Sequence, residues 1–386
     1  MASIGIAGAG VLGRLLAFEL SHAGHQVSVY DPAPGPQARS DGLGAAGFTA
    51  AGMLSPLAEL ENAGPEIAHL GWRSIRRWRD ISSQLNAASS SPALNRPPGT
   101  PIYFRALGSL LLAHGSDLGA AQRVLARLQG HGDHWGQIPI SPTTSGADPD
   151  HPHSAPQALD RAALAALEPA LAGELHAWLL PGEGQILPQQ ILPALCAAAP
   201  QVHWHWGRSV ARVRAGTLEL DDGSSQPFEL AVDVRGSGAR PDLPVRGVRG
   251  EVLWLHAPGV ALARPARLLH PRHRVYIVPR PGDMIVIGAS EIESEDRSPV
   301  SLRSAVELMT AAHSVLPELA EARIVHLETN LRPALPDNHP HTQVEPGLLR
   351  INGLFRHGWL IAPALVDDAL QRCGLPTPIG QSSVHV

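Results

Sequence analysis

Ser3-Ile4-Gly5-Ile6-Ala7-Gly8-Ala9-Gly10-Val11-Leu12-Gly13, near the start of a chain of 386 residues, reads as an apolar run passing straight into a glycine turn. The run suits a strand buried on both faces. The turn is G-x-G-x-x-G at a strand end, with a helix to follow. Gly8 permits the tight turn, Gly10 has no side chain to hold a pyrophosphate away from the backbone, and Gly13 lets the helix close on the strand. Val11 and Leu12 open that helix, whose N-terminus offers free N–H groups to phosphates. Leu12, Leu15, Leu16 and Leu20 give it an apolar stripe, Gly24 is placed to end it, and Gln26-Val27-Ser28-Val29-Tyr30 returns as a second strand finishing at Asp31. An acid at that point accepts hydrogen bonds from a ribose 2′-hydroxyl and repels a 2′-phosphate. These features agree in order and predict a dinucleotide site. FAD and NAD share the turn, and this segment alone does not choose between them.

Composition bounds the rest. The length predicts two domains. Apolar residues make up 44% of the chain and the net charge is −5 with histidines neutral, which describes a globular protein without the basic excess of a nucleic-acid binder. No apolar run reaches transmembrane length, and the N-terminus carries neither a basic n-region nor a cleavage site, so the expected location is the cytoplasm. Cys196 and Cys373 are too few for a disulfide framework or a metal cluster. His151 and His153 sit in a stretch of Pro, Ser, Thr, Asp and His without carboxylate or thiolate partners at ligand spacing, so no metal site is expected. All 30 basic side chains are arginine. A Schiff-base mechanism or a lysine base is therefore excluded, and a substrate carboxylate must be met by the planar fork of a guanidinium. The sequence fixes no oligomeric state and leaves a homo-oligomer open.

Along the chain, the Gly/Ala-dense run 42–54 suits either backbone lying against a flat ligand or a close-packed helix start. Helices are predicted over 66–85, 117–128, 159–168, 188–199, 300–316 and 362–373. Residues 102–104 and 108–113 look like paired strands, and 202–206, 209–213 and 217–220 are strand-like, with Asp221-Asp222-Gly223 as a hairpin turn. Residues 230–234 form a buried strand ending in a second glycine turn at Arg235-Gly236-Ser237-Gly238. Residues 245–256, 274–279 and 284–289 read as an antiparallel sheet, and 348–352 as one more strand.

Taken together, Gly52-Met53 followed by Ala58-Glu59, the strand Tyr276-Ile277-Val278-Pro279, Leu331-Arg332-Pro333, and Phe355-Arg356-His357-Gly358 with Ala362-Pro363 resemble the glycine oxidases of thiamine biosynthesis, within the FAD-dependent D-amino acid oxidase superfamily. The resemblance covers nearly the whole chain. It implies an α/β fold: a Rossmann-type FAD-binding domain assembled from the discontinuous segments 1–60, 185–243 and 328–386, plus an α+β substrate domain, 61–184 and 244–327, with a large antiparallel sheet. It implies non-covalent FAD, with Gly8, Gly10, Gly13 and Asp31 on the ADP half and Ala51, Gly52 and Met53 along the isoalloxazine. Gly236, Gly353, Phe355, Arg356, His357 and Gly358 would close around the flavin.

The resemblance further implies that Arg332 binds a substrate carboxylate with help from Tyr276, that Arg356 either reaches the substrate or lies along the flavin, and that Ala58 and Glu59 belong to a mobile loop over the pocket. The implied reaction oxidises glycine, N-methylglycine or small D-amino acids, with dioxygen as acceptor, to the keto acid, ammonia and hydrogen peroxide. No protein base is required. A dehydrogenase passing electrons to a quinone or protein acceptor, and a non-catalytic flavin-binding subunit, are the alternatives. Glu291 departs from the better known glycine oxidases, which carry an apolar methionine there, and this puts strict glycine specificity in doubt.

Overall fold

The computed structural model describes residues 1–39, 41, 43–87, 101–130, 155–269 and 274–375, so His151 and His153 lie outside the described residues. The opening stretch folds as its pattern requires. Ser3–Ala7 is the strand, Val11–His22 the helix and Gln26–Asp31 the return strand. Gly8 takes φ +104°, and a Cβ on Gly13 would fall 1.9 Å from the Gly8 carbonyl oxygen, so both positions demand glycine.

Among the described residues, Ser3–Ala7 is flanked in parallel by Gln26–Asp31 and Leu230–Asp233 in a six-stranded sheet. That sheet also takes His203–Trp206, Leu348–Asn352 and His341–Glu345. Its strands come from widely separated parts of the chain. A second, eight-stranded sheet contains Arg246–His256, Arg274–Arg280 and Met284–Gly288 in antiparallel pairing, with the 12-residue strand Arg323–Ala334 along one edge. That edge strand and Leu175–Leu180 carry no clear period-2 alternation in the sequence, and the pattern missed both. No helix among the described residues is long and apolar enough to cross a membrane.

Residues 102–104 and 108–113 do not pair with each other. Phe104–Arg105 joins Gly184–Ile186, whereas Ser109–His114 joins Leu175–Leu180 and Ala266–Leu269. Gly108, at φ +81°, lets the chain leave one sheet for the other between them. The 42–54 run contains the helix start of its second reading, Ala46–Thr49, followed by extended backbone to the strand Met53–Leu54.

Two long helices brace the six-stranded sheet. Pro65–Ala87 packs on Gly358–Arg372, which begins four residues before the start expected from the sequence and carries Pro363 within it. Proline has no N–H for the carbonyl of residue 359. That Trp359 oxygen instead accepts the Trp78 indole N–H at 2.8 Å, and the next amide, Ala364 N–H, donates to Ser74 Oγ at 3.1 Å. Glu19, buried on the first helix, meets Arg77 at 2.8 Å, and Arg77 also meets Asp367 at 2.9 Å, tying three helices together. Desolvation nevertheless pushes the Glu19 carboxyl up to about 7 against the charge of Arg77.

Candidate active site

A cleft of about 1770 Å³ runs from the glycine turn to the face of the eight-stranded sheet. At one end are Gly8, Gly10, Val11, Leu12 and Asp31. The nearest atom to a Cβ built on Gly10 is Ala45 Cβ at 4.0 Å, so that Cβ would stand in the cleft itself. Both Asp31 oxygens accept backbone N–H groups, Oδ2 from Ala9 at 2.6 Å and Oδ1 from Ala33 at 2.8 Å, which fixes the carboxylate across the turn with lone pairs left for a hydroxyl.

The middle of the cleft is walled by Ala51, Gly52 and Met53, by Gly236, and by Phe355 and Gly358. Gly52 is at φ +65° with its Cβ direction 2.2 Å from the Ile186 carbonyl, so the backbone lies flat there. Phe355 is held at φ +49° by its N–H to the Pro333 carbonyl, 2.9 Å, which locks this loop to the strand bearing Arg332. Asn352 Nδ2 donates to the Gly236 carbonyl at 3.0 Å and joins the loop to the second glycine turn.

Four residues expected at the site stand behind its wall instead. Gly13 is pressed on Gly8 and Gly353 on Leu335, positions where the small residue serves packing. Ala58 is buried, with its N–H donated to Glu183 Oε1 at 3.0 Å. His357 is buried, with Nδ1 3.2 Å from Glu59 Oε2.

At the far end the sheet presents Arg332 and Tyr276. Arg332 Nη1 donates to the Arg249 carbonyl at 3.3 Å and Nη2 to the Ser290 carbonyl at 3.1 Å, and among the described residues it meets no carboxylate. Burial lowers its pKa from the usual value, with Tyr276 and Glu291 opposing. A desolvated cation whose only partners are carbonyls is complementary to an anion brought from outside. Burial raises the Tyr276 phenol, against the neighbouring arginines, so it stays a neutral donor.

The sequence reading missed the floor under these groups. A Cβ on Gly250 would fall 2.5 Å from the Arg332 guanidinium, and one on Gly288 2.4 Å from the Tyr276 ring. Both glycines lie in strands, and a glycine inside a strand pattern is the signal of close approach that could have revealed them.

Arg356 does not share the isolation of Arg332. Its Nε lies 3.1 Å from Glu59 Oε2 and its Nη1 3.4 Å from Glu291 Oε2, and these charges raise its pKa, Glu59 foremost. Burial alone would raise the Glu59 carboxyl, but Arg356, His357 and Arg267 together hold it well below the usual carboxylate range. Glu59 ends the short helix Pro56–Glu59, which is anchored by fully buried Glu183. Desolvation pushes Glu183 up to about 7, against hydrogen bonds from Ser109 and the Ala58 N–H. Among the described residues no cluster of His, Cys, Asp and Glu could hold a metal ion.

A dinucleotide-sized cleft that ends at an arginine with no carboxylate partner among the described residues has the layout of a dinucleotide-dependent oxidoreductase. The chain belongs to the family of FAD dependent oxidoreductases (DAO), whose sequence profile matches residues 3–367. It is 35% identical over 367 residues to a putative thiamine biosynthesis oxidoreductase ThiO of Rhizobium etli, covering 95% of this chain and 94% of that one. It is 26% identical over 389 residues to a glycine oxidase of Geobacillus kaustophilus, covering 96% and 93%. In fold it is similar to iminodiacetate oxidase from Chelativorans sp. BNC1, with TM-score 0.76, 22% identity and coverage of 97% and 96%. It is also similar to the solved Geobacillus kaustophilus glycine oxidase, with TM-score 0.74, 23% identity and coverage of 100% and 99%. The protein is thus an FAD-dependent enzyme of this family.

Proposed function

We propose that the protein oxidises the CH–NH bond of small amino acids (glycine, N-methylglycine or small D-amino acids) with dioxygen as acceptor, water then releasing the keto acid and the amine (ammonia from the primary amines, methylamine from N-methylglycine) beside hydrogen peroxide. The observation that carries this reading is Arg332, a half-buried guanidinium that among the described residues is hydrogen-bonded only to carbonyls, facing Tyr276 at the end of the cleft. The likeness to the Rhizobium etli protein supports a place in thiamine biosynthesis.

FAD fits this cleft because Gly10 leaves its floor bare where a pyrophosphate would pass and because Gly52 lays the backbone flat. We assign the ADP half to Gly8, Gly10, Asp31 and the helix N-terminus at Val11 and Leu12, and the flavin half to Ala51–Met53, Gly236, Phe355 and Gly358, held non-covalently. When bound, FAD supplies the two-electron acceptor and, on reoxidation by dioxygen, the peroxide.

The protein's own residues bind and orient. Arg332 takes the carboxylate in its fork, Tyr276 O–H donates to the same group, and the two together set the Cα–H direction. No side chain has to remove the Cα proton. The apolar wall of Ala51, Met53 and Val252, backed by the buried Val278 and Val286, excludes water from that point. Arg356, engaged by two glutamates, holds the lid residue Glu59 rather than the carboxylate.

Sheet membership supports the two-domain division except at three boundaries; the one at 185 cuts the strand Gly184–Ile186, which pairs with Met53–Leu54 on one side and Phe104–Arg105 on the other. The one at 328 cuts the strand Arg323–Ala334, and we set it after Ala334. The helix Pro65–Ala87 joins the FAD-binding unit through its packing on Gly358–Arg372.

Anaerobic mixing of the yellow holoenzyme with glycine, N-methylglycine and small D-amino acids tests the proposal. Bleaching of the flavin absorbance is expected. No bleaching by any of them removes the activity assigned here, and peroxide yield per dioxygen consumed distinguishes an oxidase from a dehydrogenase using another acceptor.

A further inference from the structure

We infer that Glu291 selects substrates by charge: amino acids with one carboxylate enter, and those bearing a second anionic group are disfavoured. The inference rests on the amino acid oxidation proposed above.

Around Tyr276 the cleft brings together three arginines, Arg267, Arg332 and Arg356, and three glutamates, Glu59, Glu61 and Glu291. Arg356 lies 3.1 Å from Glu59 and 3.4 Å from Glu291. Arg267 lies 3.8 Å from Glu61. His357 is also turned to Glu59, at 3.2 Å. Arg332 is the one arginine of the three without a carboxylate contact, so one cation remains to be matched by a substrate. Arg280, the other guanidinium near Tyr276, donates to Gln185 at 2.9 Å and is not among the residues lining the cleft.

Glu291 follows Ser290, whose carbonyl accepts from Arg332, and so stands beside the carboxylate fork. Its side chain is 47% exposed in the same cleft, close enough to the substrate to act and open enough to be screened in part. A second carboxylate there meets the like charge of Glu291 unless it takes Arg356 away from both its partners. A neutral arm meets no such charge, and a cationic arm is attracted. Arg123 and Arg303, also at the cleft, are exposed and their fields correspondingly weak.

Three substrates with one glycine core isolate the charge: N-methylglycine with a neutral arm, N-(2-aminoethyl)glycine with a cationic one and iminodiacetate with an anionic one. In the wild-type holoenzyme, kcat/KM for iminodiacetate should fall below that for N-methylglycine. Glu291→Gln should raise the iminodiacetate to N-methylglycine ratio roughly 3- to 10-fold and lower the aminoethylglycine ratio by a similar factor, while Glu291→Asp keeps the wild-type order. A measurement independent of turnover is the Kd of malonate against acetate from perturbation of the bound flavin spectrum, whose ratio should move the same way in Glu291→Gln. FAD content and Tm report that the variants fold.

A ratio that stays within twofold in Glu291→Gln, or wild-type iminodiacetate turnover equal to that of N-methylglycine, overturns the inference. If no amino acid reduces the flavin at all, the proposed function fails, and the malonate-to-acetate ratio still decides the charge claim by itself.

Discussion

Replacing Arg332 by alanine should separate substrate binding from both cofactor binding and stability. In the folded protein this guanidinium makes two hydrogen bonds to carbonyls, at 3.3 and 3.1 Å, and no ion pair among the described residues. A carboxylate seated in its fork adds two charge-assisted bonds in a desolvated site, together about 3 to 5 kcal/mol. The expected loss in kcat/KM is therefore on the order of 10²- to 10³-fold, concentrated in the Kd for the amino acid obtained from anaerobic stopped-flow reduction. Arg332→Lys keeps a charge but not the fork and should recover only part of it. The same geometry predicts no loss of stability. Arg332 is a half-buried, partly desolvated cation without an acid partner among the described residues, and its removal relieves a desolvation cost while giving up two long bonds, so Tm should hold or rise. FAD stoichiometry should stay at one, because Arg332 is at the opposite end of the cleft from the glycine turn. An unchanged substrate Kd shows that another group binds the carboxylate. A Tm lowered by as much as a broken buried ion pair would lower it shows that Arg332 is structural.

Further expectations can be checked separately. Gly250→Ala puts a methyl 2.5 Å from the Arg332 guanidinium and should raise the amino acid Kd at least about tenfold by displacing the fork, with FAD retained; an unaltered Kd refutes the close approach. Gly13→Ala puts one 1.9 Å from the Gly8 oxygen, so the helix must lift from the strand, and the protein should purify with little FAD and a lower Tm. Full flavin loading of that variant would contradict the packing described. Glu183 has its folded pKa raised to about 7 from 4.5. The stability this contributes is complete below the unfolded pKa, near 4.5, and is lost as pH rises through 7. Glu183→Gln should therefore gain on the wild type between pH 5 and 8, by up to about 3 kcal/mol, in urea unfolding at a series of pH values. A pH-independent difference would mean that Glu183 titrates normally.

Much of the site was legible before any coordinates. The glycine turn and Asp31 were read from local backbone requirements, whereas Met53, Tyr276, Arg332 and Arg356 were placed by resemblance to a known family, and one cleft is lined by all of them. The sequence also set the limits of the chemistry. With no lysine in the chain, a buried cation for a carboxylate had to be an arginine. What local pattern could not assign was partnership across the chain. Ser109–His114 shows strand character, but its pairing with Ala266–Leu269 joins residues more than 150 positions apart. Nor could residue type separate Arg332 from Arg356. Both are arginines in motif positions, and only tertiary packing gives Arg356 to Glu59 and Glu291 while leaving Arg332 on carbonyls over Gly250. A residue's chemistry is written in its side chain, whereas the charge it presents to a ligand depends on which opposite charges the fold brings within a few ångströms.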